Sequence, residues 1–485
     1  MKILLTHSYF LQFDPKQKEL AQPYPPIGTL YAASVLRDNK HNVRFFDTMF
    51  SLSAKEIVPV IEQEKPDLLV IYDDGFNYLT KMCLTNMREA AQEMARQAQQ
   101  MGSRVIVSSS DSTDNCRIYL ENGADFILIG EAEQTLQELV TALENKTDNF
   151  EQIPGLAYLK DEQLIKSPKR NVNRELDNIP FPAWELLDIR PYQKTWIDRY
   201  GYFSLNVSTT RGCPYKCNWC AKPIYGNRYN IRSPQNVVNE LVFLKEKFNF
   251  DHIWFCDDIF GLKPSWVDEF SNLVNNSKIR FHYKIQSRAD LLVEENYIRW
   301  LAESGCDTVW MGAESGSQKI LDAMDKGIKV EQIYKATELL KLHKIKPSLF
   351  IQFGYSGEDK ADIALTIKMI NDLLPEDIGV SISYPLPGTK FYETVKEELK
   401  LKTNWTDSDE LALLFKNNFP PEFYRQLHTY VHKNYRKLQG YESLKTLFSK
   451  PFESNLKILK RAASIIYYIP ATRMEKVRLK RLERA

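Results

Sequence analysis

The sequence predicts an α/β protein in three parts: an N-terminal doubly wound parallel sheet, a partial (β/α)6 barrel and a helical C-terminal region. Three observations carry this reading. Short apolar runs alternate with helical patterns over residues 1–145, and again from Tyr202 onward, as in parallel strand–helix–strand units. Between them lies a polar, then proline-rich stretch, Asn173-Arg174-Glu175-Leu176-Asp177-Asn178-Ile179-Pro180-Phe181-Pro182, of linker character. Three cysteines, Cys213, Cys217 and Cys220, follow the first strand of the second alternation. The expected boundaries are 1–145 for the sheet domain, 146–195 for the linker, 196–403 for the barrel and 404–485 for the helical region.

In the first part, strands are expected at 2–6, 43–47, 67–72, 104–108 and 126–130, with helices at 27–39, 54–64, 85–101, 111–122 and 131–143. Sheets of this kind bind ligands at the carboxyl ends of their strands. Those ends carry Thr6, Asp73-Asp74-Gly75, Ser108-Ser109-Ser110-Asp111 and Gly130-Glu131. In the second part, strands are expected at 205–208, 252–256, 281–286, 308–311, 347–353 and 379–383, separated by helical patterns such as 234–248 and 265–276. Six such units make part of a strand–helix barrel, whose active site sits at the same strand ends. The tail from Asn404 reads as helical. Its aromatics, Trp405, Phe415, Phe419, Phe423 and Tyr424, are core or the lining of an apolar pocket. Its basic end, Lys476, Arg478, Lys480, Arg481 and Arg484, is a solvated helix or a peripheral contact with an anionic membrane surface.

Composition narrows the class. Hydrophobic residues are 43% of 485, charged residues 26%, and the net charge is +1, so a globular protein is expected and nothing global points to nucleic acid. Seven cysteines in a chain this long do not form a disulfide framework; a clustered trio reads as metal binding in a reducing, cytoplasmic compartment. Met1-Lys2-Ile3-Leu4-Leu5-Thr6-His7-Ser8 is not a secretory signal, and no apolar run reaches the ~20 residues of a spanning helix. Cys83, Cys116, Cys256 and Cys306 stand apart and read as small buried apolar residues.

The cysteine run is Arg211-Gly212-Cys213-Pro214-Tyr215-Lys216-Cys217-Asn218-Trp219-Cys220. Three thiolates on one loop hold three irons of a four-iron cluster and leave the fourth open, whereas four thiolates complete an electron-transfer cluster. A zinc site is the alternative; it needs four closed ligands, and His252 or Cys256 would have to supply the fourth. The C-x3-C-x2-C spacing with Trp219 before the last cysteine resembles the signature of the radical S-adenosylmethionine (SAM) superfamily. The resemblance implies a [4Fe–4S] cluster held by Cys213, Cys217 and Cys220, with SAM chelating the open iron. It further implies reductive cleavage of SAM to methionine and a 5′-deoxyadenosyl radical.

Later segments resemble the same superfamily in order. Asp257 and Asp258, after the second barrel strand, would face the SAM ammonium. Arg288, after the third, would pair with a carboxylate. Gly312-Ala313-Glu314-Ser315 resembles the G-x-E-S segment and implies ribose or carboxylate contacts from Glu314 and Ser315. Phe353-Gly354-Tyr355-Ser356-Gly357-Glu358 resembles the glycine motif that supports the adenine, with Ser356 where proline is common; Gly354 and Gly357 allow close backbone approach. Pro385-Leu386-Pro387-Gly388-Thr389 resembles the turn after the sixth strand, which implies a SAM contact at Pro385.

The N-terminal part resembles the cobalamin-binding domain of cobalamin-dependent radical SAM enzymes. The resemblance rests on Pro25-Pro26-Ile27-Gly28-Thr29-Leu30-Tyr31-Ala32 and Gly130-Glu131-Ala132-Glu133. It implies cobalamin contacts at Pro26, Gly28, Asp73, Ser108, Ser109, Ser110, Asp111, Gly130 and Glu131. One segment departs: Ser108-Ser109-Ser110-Asp111-Ser112-Thr113 stands where relatives carry Gly-Gly-x-His-x-Thr, so no histidine is expected to coordinate cobalt from below.

The family reading implies a radical SAM enzyme acting on an unreactive carbon of a small molecule, with an apolar substrate as one option. Its electrons would come from a donor such as flavodoxin or ferredoxin. C-methylation is the leading reaction; an oxidative or cyclising reaction of the anaerobic magnesium-protoporphyrin ester cyclase type is the alternative. A methylthiotransferase-like RNA modifier would need more N-terminal cysteines than Cys83 and Cys116. A non-catalytic redox-sensing cluster protein would not need the SAM-type segments.

Overall fold

A computed structural model describes residues 1–82, 84–399, 403–449 and 456–483; Cys83 and Arg484 lie outside them. The N-terminal sheet has seven strands: β1 (Lys2–Thr6), β2 (Asn42–Phe45), β3 (Leu68–Tyr72), β4 (Arg104–Ser108), β5 (Phe126–Leu128), β6 (Leu156–Lys160) and β7 (Gln163–Lys166), in the order β2-β1-β3-β4-β5-β6-β7. The pairs among β1–β5 are parallel. β3 reads Leu-Leu-Val-Ile-Tyr and is buried at all five positions, because helices cover both faces of a doubly wound sheet. One covering helix, Thr85–Gln100, turns Met87, Ala90, Ala91, Met94, Ala95 and Ala98 inward at helical spacing. The strand order reverses between β1 and β3, the position where such sheets form a ligand crevice.

The linker expectation for 146–195 is corrected. β6 and β7 form an antiparallel hairpin on the β5 edge, since Leu156, Ala157 and Tyr158 bury themselves against that edge. Further on, the helix Arg190–Tyr200 buries Tyr192 and Trp196. Trp184, Trp196 and Tyr192 are among the largest fully buried side chains, each contributing ~1.5–3 kcal/mol by burial. The proline-rich signal marks only the turn from one sheet to the next.

The barrel sheet comprises β8 (Ser204–Val207), β11 (His252–Phe255), β12 (His282–Ser287), β13 (Cys306–Glu314), β14 (Lys346–Phe353) and β15 (Asp377–Ile382), in the order β15-β14-β13-β12-β11-β8, with every pair parallel. The short pair β9 (Thr210–Arg211) and β10 (Asn230–Ile231) brackets the cysteine loop. On β13, Val309, Met311 and Ala313 are buried against the helices, while Thr308, Trp310 and Gly312 face the barrel interior and stay partly open. The tail is helical later than expected: residues 404–420 carry no helix, and helices follow at Pro421–Ser449, Leu456–Ala463 and Ile465–Leu482.

The two sheets share one core. Ile27, Leu30, Phe76 and Leu84 of the N-terminal part belong to the same apolar cluster as Leu205, Ile253 and Ile285 of the barrel. Polar pins cross the boundary: Asn206 Nδ2 donates to Pro25 O (2.9 Å), Trp196 Nε1 to Pro23 O (2.8 Å) and Tyr192 Oη to Asp47 (2.7 Å).

Candidate active site

The cysteine loop leaves β9 through Gly212, which has φ +82° and no space for a side chain: a Cβ would lie 2.4 Å from Arg228 O. Three pins then set its course. Asp257, at the end of β11, accepts from Thr209 N (2.7 Å), Thr209 Oγ1 (2.6 Å) and Thr210 N (2.8 Å). Asn218, inside the cysteine run, donates from its backbone N to Met324 O (3.0 Å) and from Nδ2 to Ala323 O (2.6 Å), and its Oδ1 accepts from Tyr355 Oη (2.8 Å). Arg288 lays its guanidinium 3.5 Å from the centre of the Tyr215 ring, with Nη1 4.0 Å from Cys217 Sγ.

Burial pushes the Cys213 thiol up, and the Cys220 thiol up to about 12, with Asp258 adding to the latter. Metal binding must therefore displace protons from these sulfurs. Lys222 opposes that rise at both sulfurs; Arg288 lies beside Cys217, and Lys326 Nζ lies 6.0 Å from the Trp219 ring centre. The candidate fourth ligands of the zinc alternative are engaged elsewhere. His252 Nδ1 bonds Ser204 (2.8 Å), and Cys256 Sγ points at Val207 O (3.4 Å). Free thiols on a pinned loop, next to cations, fit a multi-iron cluster.

The acids assigned to SAM sit differently from expectation. Asp257 is 1% exposed, its oxygens spent on the loop; burial raises its pKa to about 6. It is a positioning residue rather than an open carboxylate. Asp258 pairs with Lys81 of the N-terminal part at 2.7 Å. Arg288 is already bonded to Asp290 (2.9 Å) and Lys326 O (2.9 Å). Glu314 has φ +59° at an irregularity in the β13–β14 pairing, an uncommon conformation for a side chain. Its Oε1 meets Lys326 Nζ at 2.8 Å, directly over Gly312. Burial alone would lower the Lys326 pKa, but Glu314 reverses the shift. Ser315 is turned inward, to Thr366 (3.0 Å) and Ser317 N (3.1 Å).

Gly354 (φ +76°) and Gly357 (φ +82°) adopt the left-handed turn that their motif requires. Gly354 N donates to Glu358 Oε2 (2.6 Å), and a Cβ on Gly354 would press on the Tyr424 ring at 3.3 Å. Tyr424 and its aromatic neighbours are thus core under the strand ends: Trp405 stacks on Tyr384 at 4.5 Å and Phe419 on Phe423 at 4.1 Å. Pro385 is buried, and Thr389 of its turn caps the next helix. Hydrogen-bonding capacity remains at the barrel mouth. Gln352 Oε1, on the inward face of β14, Ser383 Oγ beyond β15, and Trp219 Nε1 are buried with no partner. Orphaned polar atoms on a parallel barrel's carboxyl side fit a polar nucleoside ligand such as SAM.

At the N-terminal strand ends the acids are also engaged. Asp73 accepts from Ser8 N (2.7 Å) and Ser8 Oγ (2.8 Å), bridging β1 and β3. Asp74 accepts from Gly28 N (3.1 Å) and Phe76 N (3.0 Å), with its pKa raised to about 6 by burial. Pro26 stands at the start of the helix Ile27–Asp38. Asp111 takes two 2.6 Å bonds from Arg88 and one of 2.7 Å from Tyr119. Asn115 Nδ2 adds a fourth at 3.0 Å, so all lone pairs of the Asp111 carboxylate are engaged within the protein. Both N-terminal histidines are also paired, His7 with Asp47 and His41 with Glu144. Ser109 caps the helix Ser110–Asp114, Ser108 ends β4, and Ser110 Oγ is buried without a partner. Small side chains and one orphan hydroxyl fit a corrin bound without a protein lower ligand.

Glu131, expected at cobalamin, instead binds Arg211, two residues before Cys213. Arg211 Nη2 also lies 2.8 Å from Glu133 Oε1, without hydrogen-bond alignment. The guanidinium sits 5.4–5.8 Å from the Tyr31, Tyr225 and Phe76 ring centres. Gly130 (φ +76°) is held against the same segment, its Cβ position 3.5 Å from Ile224 O. The Gly-Glu-x-Glu run thus joins the sheet domain to the cluster loop. Four residues with clear places here carried no sequence expectation: Arg211, Asn218, Lys326 and Lys81. The charge of Arg211 beside Gly212 was the available signal; Lys326 and Lys81 had none.

Comparison with known proteins agrees with this architecture. Residues 207–370 match the radical SAM superfamily model, and residues 18–140 match the B12 binding domain. The chain belongs to the cobalamin-binding radical SAM family. The family's cofactors are a [4Fe–4S] cluster, SAM and cobalamin. An uncharacterized methyltransferase of Pyrococcus horikoshii is 27% identical, over 90% of this chain and 92% of its own. The anaerobic magnesium-protoporphyrin IX monomethyl ester cyclase of Synechocystis is 25% identical, over 82% of this chain and 78% of its own. The cobalamin-dependent SAM radical enzyme OxsB shares the fold, with a TM-score of 0.74 over 99% of this chain and 72% of its own, at 17% identity.

Proposed function

We propose that this radical SAM enzyme methylates an unreactive carbon of a small molecule. The observation that carries the reading is the near full-length likeness to the P. horikoshii methyltransferase. When bound, the cluster and SAM supply one-electron bond cleavage and cobalamin a transferable methyl group. In this reading Cys213, Cys217 and Cys220 hold the cluster, and Asp257 and Asn218 fix the path of their loop. Arg288 and the Lys326–Glu314 pair set the charge around the cluster, while Gln352, Ser383 and Trp219 offer hydrogen bonds to SAM. Ser108, Ser109 and Ser110 give the corrin a close, unliganded seat. The Arg211 clamp holds the two seats in register, and the shared apolar core excludes water between them.

The six described cysteines are free thiols, in keeping with a reducing cytoplasm and a small electron-transfer protein as reductant. The cyclase likeness favours a second reading, oxidation or ring closure without methyl transfer. Anaerobic reconstitution with cobalamin, methyl-labelled SAM and a strong reductant separates the two. Methylation predicts the label on cobalamin, with unlabelled S-adenosylhomocysteine formed beside 5′-deoxyadenosine. 5′-Deoxyadenosine alone, with unlabelled cobalamin, would sink the methylase reading and leave the cyclising one.

A further inference from the structure

We propose that the C-terminal helices dock this protein on an anionic phospholipid surface. No helix among the described residues is long and apolar enough to cross a membrane, so the contact is peripheral. Of the seventeen large apolar side chains exposed among the described residues, nine lie between Tyr441 and Val477. Phe448 is 83% exposed and Ile466 82%, the two highest values among them. Leu456 and Leu459 add an exposed apolar edge on the preceding helix.

The last helix, Ile465–Leu482, shows the arrangement most clearly. At about 100° per residue, Ile466, Arg473, Met474, Val477, Lys480 and Arg481 fall in one sector of about 120°, all exposed. Ala471, Thr472, Glu475 and Leu479 occupy the opposite, buried side. Glu475 is the only acid within this helix. It is 2% exposed and turned inward to Lys433 (2.6 Å) and Gln426 (2.7 Å). The outer face therefore carries cations and apolar groups with no acid of its own. Charge crowds there: the Lys437 pKa is lowered by burial and then by Lys476 and Arg473.

Water is a poor solvent for such a face. At a bilayer interface the apolar side chains enter the acyl boundary, and the long basic side chains reach the phosphates. Apolar insertion without charge would not select anionic lipid, and charge without apolar groups would suit any polyanion. The combination points to the membrane.

The test is sedimentation of the full-length reconstituted protein with vesicles. One set is phosphatidylcholine alone; the other contains phosphatidylglycerol as well. Binding is expected to the second set only, and to weaken at high salt. The double variant Arg473→Glu/Lys480→Glu should lose tenfold or more of that binding. Ile466→Ser/Val477→Ser should also weaken it several-fold. Circular dichroism and SAM cleavage should stay unchanged in both variants. Three results would overturn the proposal. One is equal binding to both vesicle sets or to neither. Another is an apolar double variant that binds like wild type, which marks simple polyanion adsorption. The third is a dimer, seen by light scattering, that these substitutions dissolve, which would make a second copy of the chain the occupant.

Discussion

The two sheets present their carboxyl strand ends to the same region, yet they are equipped differently. At the barrel ends, three thiols stand beside cations, and buried polar atoms of Gln352, Ser383 and Trp219 lack partners. At the N-terminal ends, Asp73, Asp74, Asp111 and Glu131 are each bonded within the protein, and Ser110 alone among the strand-end serines keeps an orphan hydroxyl. The barrel is built to ligate, whereas the sheet is built to fit. A cofactor held by thiolates depends on single residues. One held by shape and scattered hydrogen bonds depends on the rigidity of the scaffold, which explains why the acids of the sheet serve as internal ties.

The sharpest way to break this contrast is at the cluster. Cys213→Ala should reduce bound iron and SAM cleavage to background while cobalamin uptake persists, measured by iron analysis and corrin absorbance; joint loss of both cofactors would mean the seats are not independent. The next effect is at the join. Arg211→Met leaves Glu131 and Glu133 buried without their cation, and breaking such a pair costs ~3–5 kcal/mol. Urea unfolding should show that loss; an unchanged midpoint would remove Arg211 as the tie between the sheets.

The smallest effect is pH-dependent and belongs to the barrel's glycine turn. Burial pushes Glu358 up to about 8 from an ordinary 4.5. The folded chain therefore keeps a proton that the unfolded chain loses, and this group's contribution to stability falls as pH rises from about 4.5 to about 8. Glu358→Gln keeps an acceptor for Gly354 N–H and cannot ionise. It should raise the thermal midpoint near about pH 9, by on the order of 1–3 kcal/mol of stability, and change little near about pH 5. An equal shift at both pH values would point to packing instead of ionisation.

Local patterns were readable in the chain. Each strand of both alternations forms within a few residues of its expected place, because burial on two faces demands continuous apolar runs such as Leu68–Tyr72. The hairpin at Leu156–Lys166 was missed because only the free edge of β5 makes those residues a strand. Glu131 and Asp257 stand at the expected strand ends, but the partners they take within the protein were not legible. Arg211 lies 80 residues from Glu131 and Thr209 lies 48 from Asp257, and no local spacing encodes such pairs.

The sequence by itself determined the cysteine loop and the two parallel alternations. The three thiols need only one short segment, and strand or helix follows from the period of apolar residues. Tertiary structure alone decided which charges are free to meet a ligand. Asp111, Asp257 and Glu131 look alike as carboxylates beside strand ends. Burial makes an unpaired charge so costly that each acquires a partner, and that partner is chosen by packing between distant segments.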